Sequence, residues 1–533
     1  MEKGNIIFNY FVPGNIFSNK ETIMSTASRV IKNTGFLYAR MIATLLVSLW
    51  TTRVILNALG DINFGIYNVV GGTIALLGFL NAALATSTQR FLNVDEGKKD
   101  LENQRITFNC SFVLHIGLGL LLGILFVLLG LIFFNGVLDI PEGREHAAKF
   151  VYLALTVSTV FTVISVPYDA TMNAHENMKW YAIIGIFEVI MKLVIAYALL
   201  LTKSDRLIIY SILMAFVPIC TLTAMRIYCH KHYKECVVRP GKYFNKDRAT
   251  ELAQFAGWNM LNSVSSMTTQ YGLNIIVNHY FGVILNAAQG IANQVSGVLS
   301  ALSQNALKAL NPIIYKSGGE NDEEKMNYIS LLGCKLTYSI FALFSFPLIS
   351  YMPQVLKLWL INVPEWAVIF CQLQLIRMLT EFATLSLTTS IMAQGNVKNY
   401  NLVKSIINIV PLIIVPVMFS YGFKPYWLYI IWIVVWSLLG GIINIIYNRS
   451  LNHMSLKSFF IEALVPISCI TIFPCLVLYA HNLITSASEL ATVCMTFFLY
   501  LGVFFIVFWK VVLSIREREA ICKLIANFKR SRI

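Results

Sequence analysis

Apolar stretches of about 20 residues recur along the whole of this 533-residue chain, and each is long enough to cross a hydrocarbon layer of roughly 30 Å. That recurrence constrains the fold more than any motif does. Charged residues make up 13% of the chain, about half the share of an ordinary soluble domain. The chain reads as an all-α polytopic membrane protein.

Apolar windows between polar breaks predict about fourteen transmembrane helices. They lie near 34–57, 62–88, 106–135, 147–172, 180–201, 206–229 and 251–279, then 283–310, 328–352, 366–393, 400–421, 427–449, 458–481 and 488–513. An even number puts both termini on one side. One set of short loops carries Lys98, Lys99, Lys179, Lys231, Lys234, Lys242, Lys246, Arg248, Lys316 and Lys398. The opposite set offers little beyond Arg144, Lys203, Arg206, Lys357 and Lys424. By the positive-inside rule both termini are expected in the cytoplasm. The net charge of +14 is then mainly a topology signal, with any attraction to anionic head groups secondary. Basic residues scattered over loops do not suit a nucleic-acid partner.

Several short stretches invite chemistry and do not support it. The segment IIFNYFVPGNIF (6–17) is broken by Pro13 and Gly14 and lacks a small-residue cleavage site, so it is not read as a signal peptide. Met24 opens MSTASRVIKNTGF in the manner of a normal start, and residues 1–23 are expected to be dispensable. The ten cysteines fall mostly in apolar runs without CxxC spacing, as small core residues do. CHKHYKEC (229–236) fits no zinc spacing and reads as a basic loop. No phosphate-binding loop appears, and the longest connection, about 230–250, is too short for a catalytic domain. Ser-His-Asp, paired-carboxylate and metal-ligand arrangements are equally lacking, so no cofactor is expected. His115, alone in its span, reads as a helix-packing residue. The function is expected within the membrane.

The chain also repeats itself. MNAHENMKWY (172–181) matches IMAQGNVKNY (391–400) at Ala174/Ala393, Asn177/Asn396, Lys179/Lys398 and Tyr181/Tyr400, all at one constant offset. VILNALGDINFGIYNVVGG (54–72) matches IIVNHYFGVILNAAQGIANQVSG (275–297), with Asn57 facing Asn278 and Gly60 facing Gly282. Helices 1–6 thus correspond to helices 7–12 as a parallel repeat, for which a site at the repeat interface is expected. The expected organisation is an N-terminal tail (1–33), an N-lobe (34–230), a basic loop (231–250), a C-lobe (251–450), two extra helices (451–514) and a basic tail (515–533).

Polar side chains are costly in lipid and mark functional surfaces. In the eighth span Asn286, Gln289, Asn293, Ser296, Ser300, Gln304, Lys308 and Asn311 recur every three or four residues, on an arc of about 120°. The seventh span carries Asn262, Ser263, Ser266, Gln270, Asn274 and Asn278. Both stripes are expected to face a polar cavity, although interhelical hydrogen bonding is the plainer alternative. Charges inside spans include Arg40, Arg53, Asp169, Lys335 and Glu462, and the i,i+4 pairs Glu188/Lys192 and Arg377/Glu381. Arg40 and Arg53 have no evident partner in their helix, and guanidinium groups suit phosphate oxygens.

LYARMIATLLVSLWTTRVILNALGDINFGIYNVVGG (37–72) resembles the opening of polysaccharide-transport proteins in the multidrug/oligosaccharidyl-lipid/polysaccharide exporter superfamily. The likeness extends over helices 1–12 and is strongest to Wzx-type flippases, whose branch it fits in helix number. It implies a MATE-like fold of two six-helix lobes, plus two C-terminal helices, that open alternately to either face of a bacterial cytoplasmic membrane. The implied cargo is an undecaprenyl-pyrophosphate-linked glycan of O-antigen, capsule or exopolysaccharide, with glycan polymerase and glycosyltransferases as implied partners. The resemblance makes Arg40, Arg53, Lys308 and Arg377 candidates for the pyrophosphate. The sugars fall to Asn262, Gln270, Asn274, Gln289, Asn293 and Gln304, and ion coupling to Asp169 and Glu381. A drug or metabolite exporter of the same fold is the alternative, followed by a membrane glycan polymerase or ligase. Short external loops at 136–146 and 353–365 count against such an enzyme.

Overall fold

The computed structural model describes residues 20–75, 78–137, 140–360, 362–484 and 490–530. Among these there is no strand. Helix α1 (Lys20–Ala75) is followed by α2 (Gly78–Gly97), α3 (Leu101–Ile132), α4 (Glu145–Ala174), α5 (Met178–Leu200), α6 (Arg206–His232) and α7 (Lys246–Phe281). Then come α8 (Val283–Gly319), α9 (Glu323–Ser350), α10 (Ala367–Gln394), α11 (Lys398–Ser420), α12 (Trp427–Leu451), α13 (Leu456–Ala480), α14 (Leu490–Val507) and α15 (Ile515–Arg530). The predicted helices are all present. The largest difference is at the first two, which do not separate at 58–61: α1 begins at Lys20 rather than near 34 and runs on past a kink at Gly60 to Ala75, and α15 is a helix where a basic tail was expected. Most of segment 1–23, expected to be dispensable, lies outside the described residues.

Eleven of the described helices are long and apolar enough to span a membrane. Helices α7 and α8, with 36 and 37 residues, are long enough but too polar to be among them. Apolar side chains on the outer face of α3, among them Leu120, Leu121, Ile124 and Leu131, are exposed by about 60%. Such a row suits lipid, which competes for no hydrogen bond and needs no polar cover.

The chain divides into two compact units, Asn33–Ser263 and Val264–Ile533, the latter joined by residues up to Lys32. The first is built on Leu122, Phe126, Val151, Tyr152, Ala196, Leu199 and Leu207. The second has a larger core in which Phe341, Phe370, Leu375 and Tyr429 pack with Ile470 of α13 and Tyr500 of α14. The Tyr500 hydroxyl donates to the Ala342 carbonyl at 2.9 Å. The two helices beyond the repeat therefore belong to the second unit.

The repeat is written in the backbone. Gly60 has φ 75° and ψ 165°, and Gly282 has φ 81° and ψ 179°. Only glycine takes such a conformation without steric cost. Lys99 and Asn321 are left-handed at φ 56° and 55°, each followed by an aspartate that caps the next helix. Asp100 accepts from the Asn103 amide, and Asp322 from the Lys325 amide. Gly143 (80°) answers Trp366 (69°), and Glu176 (54°) answers Gly395 (87°). The four pairs share a nearly constant offset along the chain. One pair differs in detail: the Asn177 side chain caps α5, whereas Val397, without a side-chain cap, precedes α11.

At the lysine-rich end of the first unit, CHKHYKEC is folded into the structure rather than arranged for a metal. Cys229 and Cys236 are buried, and no cluster of three metal-ligating side chains occurs among the described residues. Instead Glu235 forms an ion pair with His175, whose other ring nitrogen lies 3.2 Å from Glu96. The His175 ring stacks on Tyr233 at 4.2 Å. Burial pulls the His175 pKa down, but Glu235 and Glu96 outweigh it and hold the value at about 9. His115 is fully buried; its Nδ1 bonds the Ser111 carbonyl at 2.8 Å, and its Nε2 meets no partner.

Candidate functional site

Helix α10 is broken. Its halves run Ala367–Phe382 and Leu385–Gln394, and a non-helical turn at this depth must be braced by other groups. Helix α12 supplies the brace through Asn444 and Asn448, both buried, and the Asn452 amide just beyond it donates to Asn448 Oδ1 at 2.7 Å. The Asn444 amide donates to Thr384 Oγ1 at 3.2 Å, and that of Asn448 to the Leu387 carbonyl at 2.9 Å. Tyr400 of α11 donates to Asn444 Oδ1 at 2.9 Å.

One turn before the break stands Arg377, ten residues into the helix and so about 15 Å along its axis. A guanidinium near the middle of the hydrocarbon layer needs partners, and it has several. Its Nη1 donates to Glu381 Oε2 at 2.9 Å, its Nε donates to Gln374 Oε1 at 3.0 Å, and its face lies 4.7 Å over Trp432. Gln374 in turn reaches α8, donating to Ser296 Oγ at 3.3 Å and Asn293 Oδ1 at 3.4 Å. The side chain of Arg377 is 9% exposed, that of Glu381 34%. A second cation, Lys404 of α11, donates to the Gly440 carbonyl at 3.4 Å and lies within the electrostatic reach of Glu381. Two buried donors on α12, the Trp432 Nε1 and the Tyr429 hydroxyl, have no acceptor, although buried polar groups are normally paired.

The expected stripes behave unequally. On α8, Gln289, Ser296 and Ser300 are buried, while Asn293 and Gln304 are exposed. The Thr389 hydroxyl donates to Asn311 Oδ1 at 3.0 Å, tying the far end of the stripe to α10. Gln289 Oε1 and Asn286 Oδ1 are buried without a donor. Lys308 is half-buried. On α7, Ser265 and Ser266 accept from Asn408 of α11, and Thr269 donates to the Asn408 carbonyl at 2.6 Å. Gln270 is exposed, and Asn262 and Asn274 are half-buried.

In the first unit Arg40 lies 4.3 Å over the ring of Tyr181, and its guanidinium fills the space a side chain at Gly185 would need. Arg53 is exposed and, among the described residues, makes no hydrogen bond or ion pair. Asp169 accepts from Asn173 at 3.2 Å. Glu188 and Lys192 form their pair at 2.6 Å. Of the twelve candidates, the structure joins Arg377, Glu381 and Asn293 in one network. Lys404, bonded to the Gly440 carbonyl, escaped sequence reading, because it stands so near the start of an apolar run that it passes for a helix end.

The second unit thus holds a broken helix, α10, braced by polar side chains of its neighbours. No family model and no curated protein matches the chain. Solved structures do. A MATE structure described as being in the bent conformation shares 13% identity at TM-score 0.66, covering 81% of this chain and 97% of that one. A structure described as an outward-facing conformation of a multidrug resistance MATE family transporter of the MOP superfamily shares 14% at 0.66, covering 82% and 99%. A MOP superfamily transporter from Pyrococcus furiosus, described as having reversed binding-pocket polarity, shares 13% at 0.64, covering 83% and 100%. The protein has the MATE transporter fold.

Proposed function

We propose that this protein is a flippase that moves undecaprenyl-pyrophosphate-linked oligosaccharide repeat units across a bacterial cytoplasmic membrane by alternating access. The observation that carries the reading is the pair of cations, Arg377 and Lys404, set with a single carboxylate among polar side chains of α8, α10, α11 and α12. A pyrophosphate and several sugars do not enter hydrocarbon unaided, whereas a polyprenyl tail stays in it. Arginine presents paired N–H groups that match phosphate oxygens. Arg40, stacked on Tyr181, adds a cation in the first unit, and Arg53 and Lys308 complete the set proposed for the anion. Gln270, Gln289, Asn293 and Gln304, with Asn262 and Asn274, would meet the sugars. Glycosyltransferases would load the carrier and a glycan polymerase would receive it.

The test is a glycan assay in cells lacking the chromosomal gene. Arg377→Ala and Arg40→Ala are expected to abolish surface glycan at normal protein level and to leave lipid-linked repeat units on the cytoplasmic side. Full surface glycan in both variants would reject the anion clamp. A drug or metabolite exporter is the second reading, favoured by Asp169 in the first unit. Asp169→Asn would then abolish substrate efflux while glycan display continued.

A further inference from the structure

We infer that Glu381 is a resident stand-in for the ligand's anion: its carboxylate holds the oxyanion position on Arg377, and the cargo's phosphate oxygens enter by displacing it. The inference rests on the flippase reading for the identity of the cargo but on geometry for the exchange. Arg377 comes from α10 and Lys404 from α11, and Glu381 is the carboxylate whose field both feel. Arg377 has five N–H groups in a fixed fork, and its hydrogen bonds use Nη1 once and Nε once. The Nη2 edge remains open to a second oxyanion contact. Lys404 is held by one long bond to a carbonyl.

The direction of exchange follows from exposure. Arg377 is 9% exposed and fixed by Gln374 and Trp432, whereas Glu381 is 34% exposed. The cation is therefore the anchored member and the carboxylate the one free to leave. Trp432 Nε1 and the Tyr429 hydroxyl, buried beside Arg377 without acceptors, are donors of the kind an oxyanion satisfies and a cation does not. A carboxylate in that place also offsets the buried Arg377 charge while no cargo is bound. Without it, an unpaired guanidinium in the apolar layer would be costly.

The experiment measures binding of inorganic pyrophosphate to the purified full-length protein by titration calorimetry. Glu381→Gln removes the competing charge and is expected to bind pyrophosphate roughly 10- to 100-fold more tightly than the parent. Adding Arg377→Gln is expected to erase that gain. Thermal unfolding checks that each variant is folded. If Glu381→Gln does not fold, Glu381→Asp keeps the charge but withdraws it by one methylene, and a gain of a few-fold is expected. Equal or weaker binding in the folded variant overturns the proposal and makes Glu381 a structural partner of Arg377.

Competition by undecaprenyl pyrophosphate in nanodiscs separates the two levels of the reading. A Glu381→Gln gain together with competition supports both. A gain without competition supports the exchange for a free oxyanion and rejects the lipid-linked cargo. No gain, with surface glycan still lost in Arg377→Ala, overturns the exchange and leaves the flippase reading standing.

Discussion

Helix α15 begins at a capping box whose acid also closes a buried ion pair, and this supports a quantitative prediction. Ser514 and Glu517 cap reciprocally: the Glu517 amide donates to Ser514 Oγ at 3.3 Å, and the Ser514 amide to Glu517 Oε2 at 2.8 Å. The same carboxylate receives Lys335 of α9 at 2.9 and 3.0 Å and the Tyr328 hydroxyl at 2.9 Å. Both charged side chains are almost fully covered, at 7% and 5% exposure. Removing one member of such a pair strands the other, at about 3–5 kcal/mol, whereas losing a cap costs about 1 kcal/mol. Glu517→Gln keeps one acceptor oxygen, enough for the cap or for Tyr328 but not both, and cancels the charge, so at least about 3 kcal/mol is expected. Lys335→Met leaves a carboxylate with two donors, for about 2 kcal/mol. The double variant has no stranded charge and is expected within about 1 kcal/mol of the parent. Glu462 lies close enough to interact with Lys335, and its own change to Gln removes it as a replacement partner. Denaturant unfolding in detergent, fitted as a double-mutant cycle, reads all of these. Single variants no further from the parent than an ordinary surface substitution, about 0.5 kcal/mol, would refute the reasoning.

Three shorter predictions test other levels. Gly60→Ala and Gly282→Ala have free space around the added methyl, so their cost is backbone strain alone, about 1–3 kcal/mol each; thermal unfolding checks it. His175 has a folded-state pKa of about 9 against a reference of 6.5. Its contribution to stability is therefore complete below about pH 6.5 and is lost as the pH rises through 9. Thermal unfolding across pH 6–10 should show that decline, and His175→Gln should flatten it. Exchanging Arg377 for Lys keeps the charge but loses the fork that holds Gln374 and Glu381 together, so a severe loss of surface glycan is expected despite normal insertion.

The sequence carried the helices because each span declares itself by length and apolarity alone. It carried the repeat for a different reason. A turn that needs a left-handed residue or an aspartate cap restricts which side chains fit, so Gly60 and Gly282 survive as visible matches. Lys99 and Asn321 occupy the same conformation with unlike side chains, and no letter comparison finds them. The polar stripes were legible as stripes, but their partners were not. Whether Ser296 faces a cavity or Gln374 depends on the azimuth of α10 against α8, which no single helix encodes. Glu517 shows the same limit, because an acid in a basic tail gives no sign that it answers Lys335, far back in the chain.

The charged site lies where the repeat fails, and this explains why the repeat alone could not find it. Counted from the helix starts, Arg377 and Glu381 correspond to Leu155 and Thr159 of α4; counted from the following turn, to Ser158 and Thr162. Neither alignment supplies a charge. Between those two reference points the second half is three residues shorter, and the break in α10 falls in that interval. One position, however, is matched in function without being matched in letter. Lys404 follows Gly185 by the same interval that separates Tyr400 from Tyr181. Gly185 offers no side chain, and the space is filled by the Arg40 guanidinium from α1, lying over Tyr181. Each half thus brings one cation to the same place on its fifth helix, from that helix in one case and from its first helix in the other. Enlarging Gly185 to Ala must therefore displace Arg40. If the first-half cation serves the same anion, Gly185→Ala will reproduce the glycan defect of Arg40→Ala with the arginine still present. Normal glycan display in Gly185→Ala, with Arg40→Ala defective, would break the proposed equivalence.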